Sequence, residues 1–161
     1  MRKTFKLETE GAPMTVQHAV KEDIELWMRL AKTVGGIFPG LGTERGLREH
    51  RRAALNSINK HEALCVKING EIAGGLIYDK STNEICFLAV LPENRRMGIA
   101  SALLESAIAS LDGGRDITVV TFKEGDENAE AAWALYKRFA FSVGEIVNQF
   151  GATCQRLILR R

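Results

Sequence analysis

Two periods of hydrophobic spacing divide this chain. Residues 63–68, 72–78, 85–91 and 117–122 are short apolar runs rich in β-branched residues and bounded by polar turns, which predicts strands. Residues 14–20 alternate as a shorter strand, and the runs beginning at Phe141 and Arg156 predict two closing strands. Between these runs the apolar positions shift to helical spacing. Ile24, Leu26, Trp27, Met28, Leu30 and Ala31 predict a helix with Asp23 as its N-cap. Residues 43–59, 99–111 and 129–139 predict three more helices. Asn69-Gly70 between two apolar runs predicts a tight type I′ hairpin, because both residues tolerate positive φ.

Connecting these elements gives a mixed α/β fold. The strands of residues 63–68, 72–78 and 84–91 form an antiparallel meander. The strand from Glu84, the helix after Gly98 and the strand from Ile117 form a right-handed crossover with its two strands parallel. The sheet is therefore mostly antiparallel, with one central parallel unit and helices on both faces. Residues 1–13 are polar with few large apolar side chains and are expected to be an extension. Residues 14–161 make one domain, a length suited to one substantial core.

The stretch with the most chemistry lies inside that crossover. A buried strand stops at Pro92, the turn carries Arg95 and Arg96, and a helix opens at Gly98. The first N–H groups of a helix lack intrahelical partners and its dipole favours negative charge, so the turn is an expected anion site. Gly98 admits a phosphate to the backbone without a Cβ in the way. The dinucleotide pattern G-x-G-x-x-G is absent, and so is the phosphate-loop pattern G-x-x-x-x-G-K-[ST].

The spacing Arg95-x-x-Gly98-x-Ala100, after the apolar strand and Pro92, resembles the acetyl-CoA signature of the GNAT superfamily of N-acetyltransferases. A second segment, Ala132-x-x-Leu135-Tyr136-x-x-Phe139-Ala140-Phe141, resembles that family's helix ending, with Ala140 where glycine is usual. The resemblance runs from Met14 to the end of the chain. It implies acetyl-CoA as cosubstrate, with the pyrophosphate on Arg95, Arg96, Met97, Gly98, Ile99, Ala100 and Ser101. It implies pantetheine paired to Leu88, Ala89 and Val90, with an amide near Val90 polarising the thioester, and Asn128 as a further contact. Tyr136 matches the tyrosine that protonates the leaving thiolate. Phe38 and Leu41 in the glycine-rich loop, and Tyr78, are expected to line the acceptor side. The implied reaction is direct acetyl transfer to a primary amine of a small molecule or peptide in a ternary complex. The competing class is a non-catalytic acyl-CoA sensor on the same fold.

A protonated amine has to lose a proton before it attacks, and Glu84, opening the strand beside the thioester, is the candidate base. His18, His50 and His61 show no metal or triad spacing and are expected to be packing or surface residues. No metal site is expected. Three cysteines, Cys65, Cys86 and Cys154, lie in apolar runs without metal-ligand spacing and are expected as buried, reduced thiols. Composition narrows the rest. With 22 basic against 20 acidic residues the net charge is +2, which argues for no nucleic-acid partner and no anionic membrane. Neither a secretory leader pattern nor a membrane-length apolar run is present, so a cytoplasmic location is expected. A homodimer through the last strands would suit similar folds.

Overall fold

The structure is a computed structural model describing the backbone of residues 3–5 and the whole of residues 14–161. The strands are β1 (Lys3–Phe5), β2 (Met14–His18), β3 (Ala63–Ile68), β4 (Glu71–Asp79), β5 (Glu84–Val90), β6 (Ile117–Phe122), β7 (Ser142–Gln149) and β8 (Ala152–Leu159). The helices are α1 (Ile24–Val34), α2 (Glu44–Asn59), α3 (Ile99–Ser110) and α4 (Ala129–Arg138). All eight strands join one sheet in the order β1-β2-β3-β4-β5-β6-β8-β7. Every pair is antiparallel except β5 with β6, which the α3 crossover makes parallel. Of the expected extension over residues 1–13, Lys3–Phe5 pairs with β2, and the rest lies outside the described residues.

Both faces of the sheet carry a core. α3 and α4 cover one face with Leu103, Leu104, Trp133 and Tyr136, and α1 and α2 cover the other with Trp27, Leu30, Ala54 and Ile58. β4 sits between them, and its two adjacent glycines let the helices approach. A Cβ on Gly74 would come within 2.5 Å of Ile99 of α3, and one on Gly75 within 2.8 Å of the Trp27 ring of α1. Side chains there would push both helices off the sheet.

Local signals decide most of the ends. Asn69 and Gly70 have φ of 52° and 78°, the type I′ geometry that their sequence predicts. Thr43 caps α2 by accepting the Gly46 N–H at 3.0 Å. Asp23 departs from expectation. A 3₁₀ turn over Lys21–Asp23 precedes α1, and the carboxylate turns back to accept the Val20 N–H and pair with Lys67 at 2.6 Å. An ion pair to β3 outcompetes the cap.

α4 ends in a Schellman turn, with the Phe141 N–H on the Tyr136 carbonyl and the Ala140 N–H on the Lys137 carbonyl, both at 3.0 Å. That turn puts Ala140 at φ 68°. The alanine therefore holds the left-handed conformation that glycine adopts without strain.

Candidate active site

β5 and β6 are joined only at their first residues, Glu84 opposite Thr118 and Ile85 opposite Val119. Beyond that point they part, because β6 goes on pairing with β8 while β5 follows β4. The split leaves one edge of β5 without a strand. The Leu91 N–H donates to Ala73 in β4 at 2.8 Å, so by two-residue alternation the amides of Val90 and Leu88 face the gap. A chain of extended polar groups entering the gap would find donors waiting.

The gap opens into a cleft of about 1460 Å³. At one end stands the turn that leads into α3. Gly98 has φ 80° and the Ala102 N–H returns to its carbonyl at 3.0 Å, which leaves the amides from Gly98 to Ser101 free of intrahelical partners. Arg95 and Arg96 border the same end, with Arg96 at φ 63°. Free amides, a helix N-terminus and two arginines stand together there, which is what a diphosphate requires.

Most of the expected cofactor residues border this cleft: Leu88, Ala89, Val90, Arg95, Arg96, Gly98, Ile99, Ala100, Ser101 and Asn128. Met97 does not. Its side chain packs on the core, with its sulfur 3.8 Å from the Asn94 amide. Asn128 stands at the N-cap position of α4 yet makes no side-chain cap, which leaves its amide available to the cleft.

Tyr136 borders the cleft from α4, almost wholly buried, its ring edge-on to Phe141 at 5.3 Å. Burial pushes its phenol pKa well above the ordinary value. The group therefore stays protonated at any physiological pH. Its hydroxyl has no hydrogen-bond partner among the described residues, so its proton is free for a ligand.

The acceptor half departs further from expectation. Phe38 and Leu41 border the cleft as predicted. Tyr78 borders it too, but its ring is only 1% exposed and its hydroxyl donates to the His61 carbonyl at 3.1 Å. No free hydroxyl remains there for a substrate. Glu84 does not line the cleft: it sits at the closed end, where β5 and β6 are still paired. Glu49, Glu62, Asp79, Glu127 and Glu130 are the carboxylates on the cleft wall, and Glu62, just before β3, is the least exposed of them. It is buried, with one oxygen accepting the Lys80 N–H at 2.6 Å.

A β-bulge explains much of the rearrangement. Ile77 of β4 faces Phe87 and Tyr78 faces Ile85, so Cys86 is an extra residue on β5. The bulge sends Ile85 and Phe87 to opposite faces of the sheet, and turns Cys86 out of the core. Cys86 is exposed, not buried as expected, whereas Cys65 and Cys154 are buried. The thiol stays protonated all the same: desolvation where it borders the cleft, then the charges of Glu84, Asp79 and Glu62, push its pKa up to about 12.

Phe87, released onto the α1–α2 face, becomes the centre of a ring wall. Trp27 lies 5.9 Å from it, Phe38 5.5 Å and His50 4.7 Å, and Phe38 reaches across the split to Phe122 of β6 at 5.7 Å. His50, expected as a packing or surface residue, borders the cleft with its Nε2 accepting the Trp27 indole N–H at 3.0 Å. Burial pushes its pKa down to about 4.

The comparisons with known proteins agree with this fold. The sequence profile of the acetyltransferase (GNAT) family matches residues 27–141. A GNAT-family acetyltransferase from Bacillus cereus superposes with a TM-score of 0.70 at 22% identity, over 94% of this chain and 99% of that one. PaiA N-acetyltransferase from Thermoplasma acidophilum, solved with coenzyme A, gives 0.69 at 18% identity over 92% and 99% of the two chains. YncA from Salmonella typhimurium, solved with acetyl-CoA, gives 0.69 at 15% identity over 91% and 93%. No curated protein matches the sequence.

Proposed function

The chain belongs to the acetyltransferase (GNAT) family, and from that premise we propose that it transfers the acetyl group of acetyl-CoA directly to a primary amine within a ternary complex. The observation that carries this reading is the parting of β5 and β6 directly beside the free amides of α3. One gap holds a diphosphate site at its mouth, an unpaired strand edge along its wall and a protonated phenol facing it. Acetyl-CoA supplies an activated acetyl group; the protein supplies everything that positions it.

The diphosphate sits on the amides from Gly98 to Ser101 with Arg95 and Arg96 beside it. Pantetheine runs along β5, where the amides of Leu88 and Val90 donate to it, and the Val90 amide polarises the thioester carbonyl. Asn128 contacts the pantetheine from the opposite wall. The amine enters from the side of α2 and the ring wall, past Phe38 and Leu41. Glu62, the buried carboxylate of the wall, takes its proton, directly or through water, in the role expected of Glu84. As the amine nitrogen bonds to the carbonyl carbon, the C–S bond breaks, and Tyr136 gives its proton to the departing sulfur. The phenol's raised pKa keeps that proton in place until then.

The test is a panel of primary amines assayed by thiol release from acetyl-CoA, beside thermal melts with CoA. A ligand bound only to the folded state raises the melting temperature, by about 2.7 kcal/mol of stability at a hundred times its Kd. Thermal stabilisation together with thiol release that depends on the amine is the expected result. Stabilisation by CoA with no amine turned over would point to a binding module without catalysis. No stabilisation at millimolar CoA overturns the reading.

A further inference from the structure

The reaction proposed above makes no use of the imidazole of His50, which borders the cleft. It sits on α2 between the ring of Phe87 and that of Trp27, at centroid distances of 4.7 and 6.4 Å. An indole N–H can only donate, so the 3.0 Å contact from Trp27 makes Nε2 of His50 the acceptor. The ring is therefore neutral and carries its proton on Nδ1. Trp27 is fully buried, with 0% of its surface exposed, so the donor that fixes this tautomer is itself held rigidly. The Nδ1–H has no acceptor among the described residues, and His50 borders the cleft. Burial, which pushes the pKa down to about 4, keeps the arrangement through the physiological range.

This geometry denies His50 the role of base, since its one lone pair is spent on Trp27. It leaves a fixed, neutral donor among aromatic rings. We propose that His50 is a specificity-determining residue for the acceptor, donating from Nδ1 to an oxygen that lies near the reactive amine. The substrate class is then an α-amino carbonyl compound, an amino-acid amide or a peptide amino end, with an apolar or aromatic body against Phe38 and Phe87. The carbonyl accepts from His50, the body covers the rings, and the amine is left facing Glu62 and the thioester. A plain alkylamine offers the imidazole nothing.

The inference rests on the acetyltransferase reading, and two probes separate the two. Phenylalaninamide and phenethylamine share a ring and a primary amine and differ by the carboxamide. In ¹⁵N-histidine spectra of the full chain saturated with CoA, phenylalaninamide is expected to move the Nδ1 resonance of His50 and phenethylamine to leave it in place. Equal movement by both, or movement by neither, overturns the proposal, and this readout needs no turnover. Spectra that CoA itself leaves unchanged would instead count against the acetyltransferase reading.

In kinetics, kcat/KM is expected to favour phenylalaninamide by about two- to tenfold, the range for one neutral hydrogen bond, with the difference in KM. His50→Gln, whose amide can both accept from Trp27 and donate to the cleft, keeps that preference, whereas His50→Leu abolishes it with CoA affinity unchanged. A preference that survives in His50→Leu overturns the assignment. Should His50→Leu fail to fold, the spectra of the wild-type chain decide the matter alone.

Discussion

The two halves of the cleft are built from different materials. The half proposed for the cofactor is mainly backbone: four free amides at the start of α3, the unpaired edge of β5, and glycine where a side chain would intrude. The half proposed for the acceptor is side chains: Phe38 from a loop, His50 from α2, Phe87 from β5 and Glu62 from the approach to β3, with Trp27 of α1 buried behind them. A backbone site tolerates sequence change as long as its conformation survives, because any residue supplies an N–H. A side-chain site changes ligand with each substitution. One half suits a ligand that stays constant, the other a ligand that can be exchanged.

The largest expected effect concerns the acceptor half and pH. The folded pKa of His50, about 4, lies below the ordinary 6.5, so in the folded state protonation is resisted. Between these values the unfolded chain binds more protons. Stability therefore rises with pH across that window, is complete above about 6.5 and is lost toward 4, by at most about 3 kcal/mol. Urea melts from pH 4 to 7 of the wild type and His50→Gln measure it. Identical slopes would show that His50 is not buried neutral.

Next comes the seam between the halves. Tyr136→Phe keeps the ring against Phe141 and removes only the hydroxyl, so kcat is expected to fall about 100-fold, the low end for a general acid, with CoA affinity unchanged. Steady-state kinetics with any amine that is turned over, beside a CoA titration, checks this. Equal turnover would mean that solvent protonates the thiolate and that the acceptor half works without this phenol.

A third pair tests whether the cofactor half is backbone. Gly98→Val puts a branched side chain at φ 80° and over the free amides, and is expected to weaken CoA binding about 30-fold. Arg96→Ala removes one partly screened charge and should cost only about two- to fivefold. Calorimetric affinities in the reverse order would make the site one of side-chain charge after all. The smallest effect belongs to the frame that both halves share. Ala140→Gly relieves the left-handed strain at φ 68° and should add about 1 kcal/mol, raising Tm by about 2–4 °C, with activity unchanged.

What the sequence determined by itself was whatever depends on neighbours along the chain. The Asn69-Gly70 hairpin, the helix from residue 43, the α3 crossover and the turn at Gly98 each follow from conformational preferences within a few residues, and ten of the eleven positions expected to hold the cofactor border the cleft. Met97 was the exception, because spacing along a turn does not say which side chain faces inward. Apart from Phe38 and Leu41, the half proposed for the acceptor was decided by the tertiary structure. Asp23 left its cap for Lys67, forty-four residues away. Glu84 was left at the closed end of the split by pairing with Thr118, while Glu62 came to the wall. The Cys86 bulge depends on how β4 and β5 register against each other, and one extra residue there reversed which face Phe87 joins. His50 and Trp27 meet across twenty-three residues, through the packing of two helices on one sheet face. Local preference acts through a few dihedral angles that every sequence displays, but a ring wall assembled from five elements exists only once the sheet has closed its distances.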